Sequence, residues 1–197
     1  MGRQLNGSQR LFIAIDLPEH IKEKIAAASR PLNSSGISPV LLQNMHITLL
    51  FLGSIKPDAI QSLTSALHQI KFIGFDITIQ GFSTFSVNDP RVIFAKVENG
   101  SEMLERLHLD ITERISVFGD ALLPIGTEKF SPHLTVARLR HPDESAVHKV
   151  SAFLEENKEI NIGTVHVSSF VLKRSVLTNF GPVYTDLRTF NSSDLSN

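Results

Sequence analysis

His46-Ile47-Thr48-Leu49-Leu50-Phe51-Leu52-Gly53 and His133-Leu134-Thr135-Val136-Ala137-Arg138-Leu139-Arg140 are the two stretches on which the reading of this chain turns. Each is a short apolar run opened by a histidine, and each reads as a β-strand. After both, a proline opens a helical pattern, at Pro57 and near Pro142. His133 follows His46 by 87 positions, Pro142 follows Pro57 by 85, and Ile162 follows Phe75 by 87. The three offsets agree, which marks an internal repeat of about 87 residues.

Working outward, a first strand runs from Arg10 to Asp16, and a helix from Pro18 carries Ile21, Ile25 and Ala28 on one stripe. Pro31 to Pro39 reads as a loop. The helix at Pro57 presents Ile60, Leu63, Leu67 and Ile70, and strands Phe75 to Phe85 and Arg91 to Val97 follow, joined by Asn88, Asp89 and Pro90. The second half replays this order. A helix after Ser101, read as its N-cap, carries Leu104, Leu107, Ile111 and Ile115. The helix near Pro142 carries Val147, Val150 and Leu154, and strands follow at Ile162 to Leu172 and Val183 to Phe190. Hairpins interrupt any βαβ run, so the expected class is α+β. The expected architecture is bilobal, with two mainly antiparallel sheets related by a pseudo-twofold, helices packed outside and a central cleft where a ligand would bind. One domain is expected over residues 10–190, with a flexible start at 1–9 and a tail at 191–197.

The 197 residues are 42% hydrophobic and 20% charged, a composition that supports a soluble protein with its own core. There is no cysteine, which excludes thiol nucleophiles, thiolate metal sites and disulfides. Nineteen Lys and Arg face twenty Asp and Glu, for a net charge of -1, so a nucleic-acid substrate would have to be held locally. The apolar run Leu11 to Ile15 is too short for a leader or a membrane span. Asn6 stands where a myristoylation motif after Gly2 needs Ser or Thr. The default expectation is therefore a cytoplasmic protein without membrane attachment. A monomer is expected because each amphipathic stripe has an intramolecular use.

On a strand, His46 and Thr48 point one way while Ile47 points the other, and the same holds for His133, Thr135 and Leu134. Continued alternation puts Leu49 and Phe51 with the core. Two imidazoles across one cleft suit general acid–base catalysis, since their reference pKa lets one be neutral and the other protonated near neutrality. In-line displacement at phosphorus needs that pair, and Thr48 and Thr135 would donate to the non-bridging oxygens. No metal is demanded by this set, and HExxH spacing is absent. No phosphate-binding GxGxxG or GxxxxGK[ST] loop occurs, so no nucleotide cofactor is expected. His20, His68, His108 and His148 read as surface residues of helices, His141 as a loop residue, and His166 as mid-strand without a repeat partner. Arg138 would make a phosphate clamp. Strict alternation from His133, however, turns it away from the cleft unless the strand bulges.

The two HxT strands, the opening RLFIAIDLP, the phrases HITLLFLG and PHLTVAR, and a closing Ser175-x-Leu177-x-x-x-Gly181-x-x-Tyr184 segment resemble the two-histidine phosphoesterases. The nearest branch is the LigT-like RNA 2′,3′-cyclic phosphodiesterases, historically called 2′-5′ RNA ligases. The resemblance spans residues 10–190. It implies hydrolysis of RNA 2′,3′-cyclic phosphate ends to 2′-phosphates without metal, ATP or other cofactor. By that resemblance His46 is the acid toward the leaving 3′-oxygen, His133 the base toward water, and Arg138 a phosphate ligand, which requires an irregular strand after Thr135. Phe130, just before the second motif, is a candidate to stack on a base, with a core role as the alternative. The chain departs from the family in having no tryptophan upstream of the first motif, where Leu41, Leu42 and Met45 stand instead. The other readings kept open are the same chemistry on 2′-5′ oligonucleotides or small cyclic nucleotide esters, and an RNA-end-binding module that has lost catalysis.

Overall fold

A computed structural model describes residues 7–118, 130–140, 142–179 and 181–193. Residues 1–6, His141 and the end of the expected tail, 194–197, lie outside that range. Among the described residues, nine strands and four helices follow in the order β1 (Gln9–Asp16), α1 (Glu19–Ala28), β2 (Ile37–Pro39), β3 (His46–Ile55), α2 (Pro57–Leu67), β4 (Phe75–Thr84), β5 (Val92–Asn99), α3 (Ser101–Ser116), β6 (His133–Leu139), α4 (Glu144–Glu156), β7 (Asn161–Val167), β8 (Ser169–Thr178) and β9 (Gly181–Asn191). The α+β class holds.

The strands form one hydrogen-bonded path, β7-β4-β5-β6-β3-β1-β8-β9, and all the pairings between them are antiparallel. Its two halves of four meet at β3 and β6 through a single pair, Ile47 with Leu134. Both side chains are fully buried. Beyond that pair the two strands part, and β2 takes the vacated edge of β6, pairing Ile37 to Pro39 with Leu139 to Ala137. The stretch read as a loop thus contains a short strand as well as a 3-10 turn at Arg30–Leu32.

The run read as one strand from Ile162 to Leu172 is two. Ser168 separates β7, at one end of the path, from β8 in the other half. A backbone bond from Ser192 N to Ser168 O extends the β8–β9 ladder and one from Ser193 N to Phe72 O reaches the segment just before β4, so pairing continues past Phe190. Each half therefore draws strands from both sequence repeats: β6 sits with β5, β4 and β7, and β3 with β1, β8 and β9.

The helices form where their apolar stripes fall. Ile21 and Ile25 of α1, Leu63 and Leu67 of α2, and Leu104, Leu107, Ile111 and Ile115 of α3 are buried. In α4 the buried stripe is Ala146, Val150 and Phe153, one step off the expected Val147, Val150 and Leu154. Its N-cap is Asp143, whose carboxylate accepts from Ala146 N at 2.8 Å. Ser101 is the first helical residue of α3, and Gly100, at φ 78°, takes the N-cap position. The left-handed backbone there favours glycine, and a Cβ would strike the Asp76 carbonyl.

Because Ile47 and Leu134 form the whole β3–β6 joint, truncation there removes packing from both halves at once. Leu134→Ala should lower the unfolding free energy by about 2–5 kcal/mol, read from urea denaturation. A loss below about 1 kcal/mol would mean that the joint is not closely packed.

Candidate active site

The side chains that face the cleft are set by where β3 and β6 break alternation. On β6, Thr135 pairs with Phe94 and Ala137 with Ile93, so Val136 is a surplus residue in the strand. On β3, Thr48 pairs with Ala14 and Leu50 with Ile13, so Leu49 is surplus in the same way. These are β-bulges at equivalent places in the repeat, and each turns the following residues over. Val136 and Ala137 are both buried, as are Leu49 and Leu50. Past the bulge Arg138 emerges exposed on the face of His133 and Thr135, which removes the objection from strict alternation. Phe51 emerges likewise on the face of His46 and Thr48, 65% exposed, so its expected place in the core is corrected.

The bulge also explains His108. A residue squeezed out of the ladder needs another partner for its backbone. His108 Nδ1 lies 2.8 Å from the Leu49 carbonyl and supplies it from α3. His108 is thus half-buried, a correction to its surface reading. Phe130 stacks flat on the same ring, centroids 4.3 Å apart, and packs against the core. That contact accords with the core role kept open for it as the alternative to base stacking. His20, His68 and His148 are exposed on or beside their helices as expected, and His166 is exposed on β7, bonded to Asp76 at 2.7 Å.

His46 and His133 are held by the same device. Nδ1 of His46 is 2.8 Å from the Asn44 carbonyl and Nδ1 of His133 is 2.7 Å from the Ser131 carbonyl, in each case two residues back. A carbonyl only accepts, so Nδ1 carries the proton in both rings and Nε2 is left bare when the ring is neutral. The Thr48 hydroxyl donates to His46 Nε2 at 3.1 Å. Pairing of Ile47 with Leu134 sets His46 across the joint from Thr135 and Thr48 across from His133.

Aromatic rings enclose both imidazoles. His46 lies against Phe12 and Tyr184, at centroid distances of 5.0 and 5.3 Å, and His133 against Phe85 and Phe94, at 4.9 and 5.1 Å. Burial pushes His46 down to about 4, against the Asn44 carbonyl, which favours the charged form; the Lys173 ammonium lowers it further. His133 is also lowered, first by burial, with the Ser131 carbonyl opposing and Arg138 reinforcing. Both rings are neutral at rest. Lys173 is itself nearly buried and bonded to Asp16 and Asp186; burial would lower its pKa, but those carboxylates outweigh it and keep the ammonium charged.

Sequence reasoning quoted Tyr184 and Phe12 only within motifs and did not place them at the histidines. It passed over Lys173, Phe85 and Phe94. Contacts between β1, β8 and β9 bring the first group together, and no local spacing carries that information. The stretch upstream of His46 holds exposed Leu41 and buried Met45. Among the described residues, no three His, Asp or Glu side chains are grouped to hold a metal ion, and no helix is long and apolar enough to cross a membrane.

The chain matches the model of the family described as LigT like phosphoesterase over residues 15–94 and 110–184. It is 33% identical to the RNA 2′,3′-cyclic phosphodiesterase of Archaeoglobus fulgidus over 183 residues, covering 92% of this chain and 99% of that one. It is 31% identical to the protein of the same name from Thermotoga maritima, over 89% of this chain and 91% of that one. Among solved structures, TT0787 of Thermus thermophilus superposes with a TM-score of 0.78 at 30% identity, covering 92% of this chain and 97% of the other. E. coli LigT complexed with 3′-AMP superposes at 0.77 with 23% identity, over 95% and 99%, and shares the fold. Two repeat-related histidines, each locked by a carbonyl two residues back and followed by the same bulge, stand within the matched segments, and the chain belongs to the LigT-like phosphoesterase family.

Proposed function

We propose that this protein hydrolyses RNA 2′,3′-cyclic phosphate ends to 2′-phosphates, with His46 and His133 as the acid–base pair and no metal or other cofactor. The observation that carries the reading is the matched pair of imidazoles on one strand face, each held by a carbonyl at Nδ1 and so left with an unprotonated Nε2, beside an exposed guanidinium at Arg138 that has no ion-pair partner among the described residues. The names of the relatives from Archaeoglobus fulgidus and Thermotoga maritima support the substrate class.

Water attacks phosphorus and passes its proton to His133 Nε2, the P–O3′ bond breaks, and O3′ takes a proton from His46 Nε2. Arg138 receives two non-bridging oxygens in its fork, and the Thr48 and Thr135 hydroxyls donate to phosphate oxygens. His46, neutral at rest, must be protonated to act as the acid. The bound phosphate supplies the reason: a negative charge close to a desolvated imidazole favours its charged form. Phe51, exposed beyond Thr48, offers an apolar ring to the terminal base.

An RNA with a 2′,3′-cyclic end, incubated with the protein and EDTA, should yield a 2′-phosphate. A 3′-phosphate, or loss of turnover with EDTA, would sink the proposal. His46→Ala and His133→Ala should each slow the reaction by on the order of 10²–10⁴-fold without unfolding the chain, and a fully active variant would remove that histidine from the mechanism.

A second expectation concerns pH. In the free protein both histidines titrate below their usual range, so the bell for kcat/KM should centre on the acid side of 6.5. In the complex the phosphate raises both, so the bell for kcat should lie at higher pH. Coincident bells in the two profiles would contradict phosphate-induced protonation of His46.

A further inference from the structure

Arg10 opens the RLFIAIDLP stretch and has no part in the chemistry derived above. Strand β1 alternates without interruption against β8, so Leu11, Ile13 and Ile15 enter the core while Arg10, Phe12, Ala14 and Asp16 share the other face. Phe12 lies against His46, which identifies that face as the cleft face. Arg10 therefore projects on the side of the histidines, and it is exposed.

The pairing register sets its company. Arg10 pairs with Ser54 of β3 on one side and Ser175 of β8 on the other, and Ser175 pairs with Tyr184 of β9. Residues directly opposite in an antiparallel sheet point the same way. The four form a cross-strand row of a guanidinium, two hydroxyls and a phenol. Arg10 has no ion-pair partner among the described residues, whereas the acidic side chains Asp16 and Asp186 are taken up by Lys173. The row lies beside the histidine site, because the Tyr184 ring touches both His46 and Phe12. Burial raises the Tyr184 pKa, while Arg138 and Arg10 both act against it, so the phenol stays a proton donor in the field of two guanidinium groups.

We propose that Arg10, with Ser54, Ser175 and Tyr184, forms a second phosphate subsite that holds the phosphodiester joining the terminal nucleotide to the one before it. This inference rests on the proposed reading that the terminal cyclic phosphate lies at His46, His133 and Arg138. It makes the substrate an oligonucleotide end in preference to a mononucleoside cyclic phosphate. Unpaired arginine beside neutral hydroxyl donors is the chemistry that positions a phosphodiester without reading the base.

The test compares kcat/KM for adenylyl-3′,5′-adenosine 2′,3′-cyclic phosphate with that for adenosine 2′,3′-cyclic phosphate, in the wild type and in Arg10→Gln and Arg10→Lys. The wild type should prefer the dinucleotide by about tenfold or more, the scale of one charge-assisted contact. Arg10→Gln should collapse that ratio and Arg10→Lys should restore part of it. The plot of log kcat/KM against log salt should be steeper for the dinucleotide by about 0.7, and this difference should vanish in Arg10→Gln. Equal use of both substrates by the wild type, or a ratio unmoved by Arg10→Gln, would overturn the subsite while leaving the catalytic reading standing. Hydrolysis of neither substrate would overturn the catalytic reading, and the subsite with it.

Discussion

A surplus residue at the equivalent place in each central strand, Leu49 in β3 and Val136 in β6, governs which side chains the cleft receives. Without the bulges, alternation would carry Arg138 and Phe51 into the apolar layers under the sheet, where a guanidinium has no partner and its burial costs several kcal/mol. With them, each strand can present a histidine, a threonine and a third side chain on one face while keeping pairs of adjacent apolar residues in the core. A bulge is tolerated only if its backbone is satisfied, and for Leu49 the His108 ring does this from α3. Helix α3 is thereby tied to the shape of the cleft though it contributes nothing to its surface.

The strands that flank β3 and β6 decide the charge state of the histidines. Two rings lie against each imidazole, and the resulting desolvation outweighs the carbonyl that each Nδ1–H contacts. The carbonyls fix the tautomer and orientation; the aromatic walls fix the protonation at rest. Lys173 adds a like charge near His46, and it can remain charged in a nearly buried place because two carboxylates hold it. On the proposed mechanism, such a site waits in its neutral form and takes up its proton as the anionic ligand arrives.

How much of this could be read from sequence depends on whether the information was local. The helices, most strands and the repeat followed from periodicity, because apolar stripes at period 3.6 and 2 are properties of a segment. The joint of Ile47 with Leu134 was consistent with the two HxT strands occupying equivalent places. Alternation breaks at Leu49, Leu52 and Val136, since a bulge in an apolar run leaves the hydrophobic pattern intact and only the facing strand shows it. Alternation alone therefore sends Phe51 to the core, and only the family resemblance brings Arg138 to the cleft. Ser168 hid the largest topological fact: two strands joined by one residue read as a single strand, although they lie in opposite halves of the sheet path. Tyr184 and Lys173 reach the site through that crossing, so no spacing near His46 could have named them. The half-buried place of His108 depends on Leu49 and Phe130, both distant in sequence, so its own helix gives no sign of it.

The repeat also raises a problem that its own divergence answers. A backbone with near twofold equivalence offers an asymmetric ligand two orientations across the joint. The equivalent positions differ in chemistry where this matters: Phe51 against Arg138 after the bulges, and Asp16 against Lys96 as the cross-strand partners of the two histidines. A phosphate turned toward the first half would meet a ring and no guanidinium at the position that Arg138 fills in the second, with Asp16 already bonded to Lys173. A phosphate turned toward the second half meets Arg138. Hydrogen bonds to charged groups contribute about 1.5–3 kcal/mol, so the exchange of one arginine for phenylalanine is enough to make one orientation dominate by about tenfold or more. The near-neutral total charge fits the proposed reading, in which single unpaired cations on one face make the selection and no field from the rest of the surface is needed.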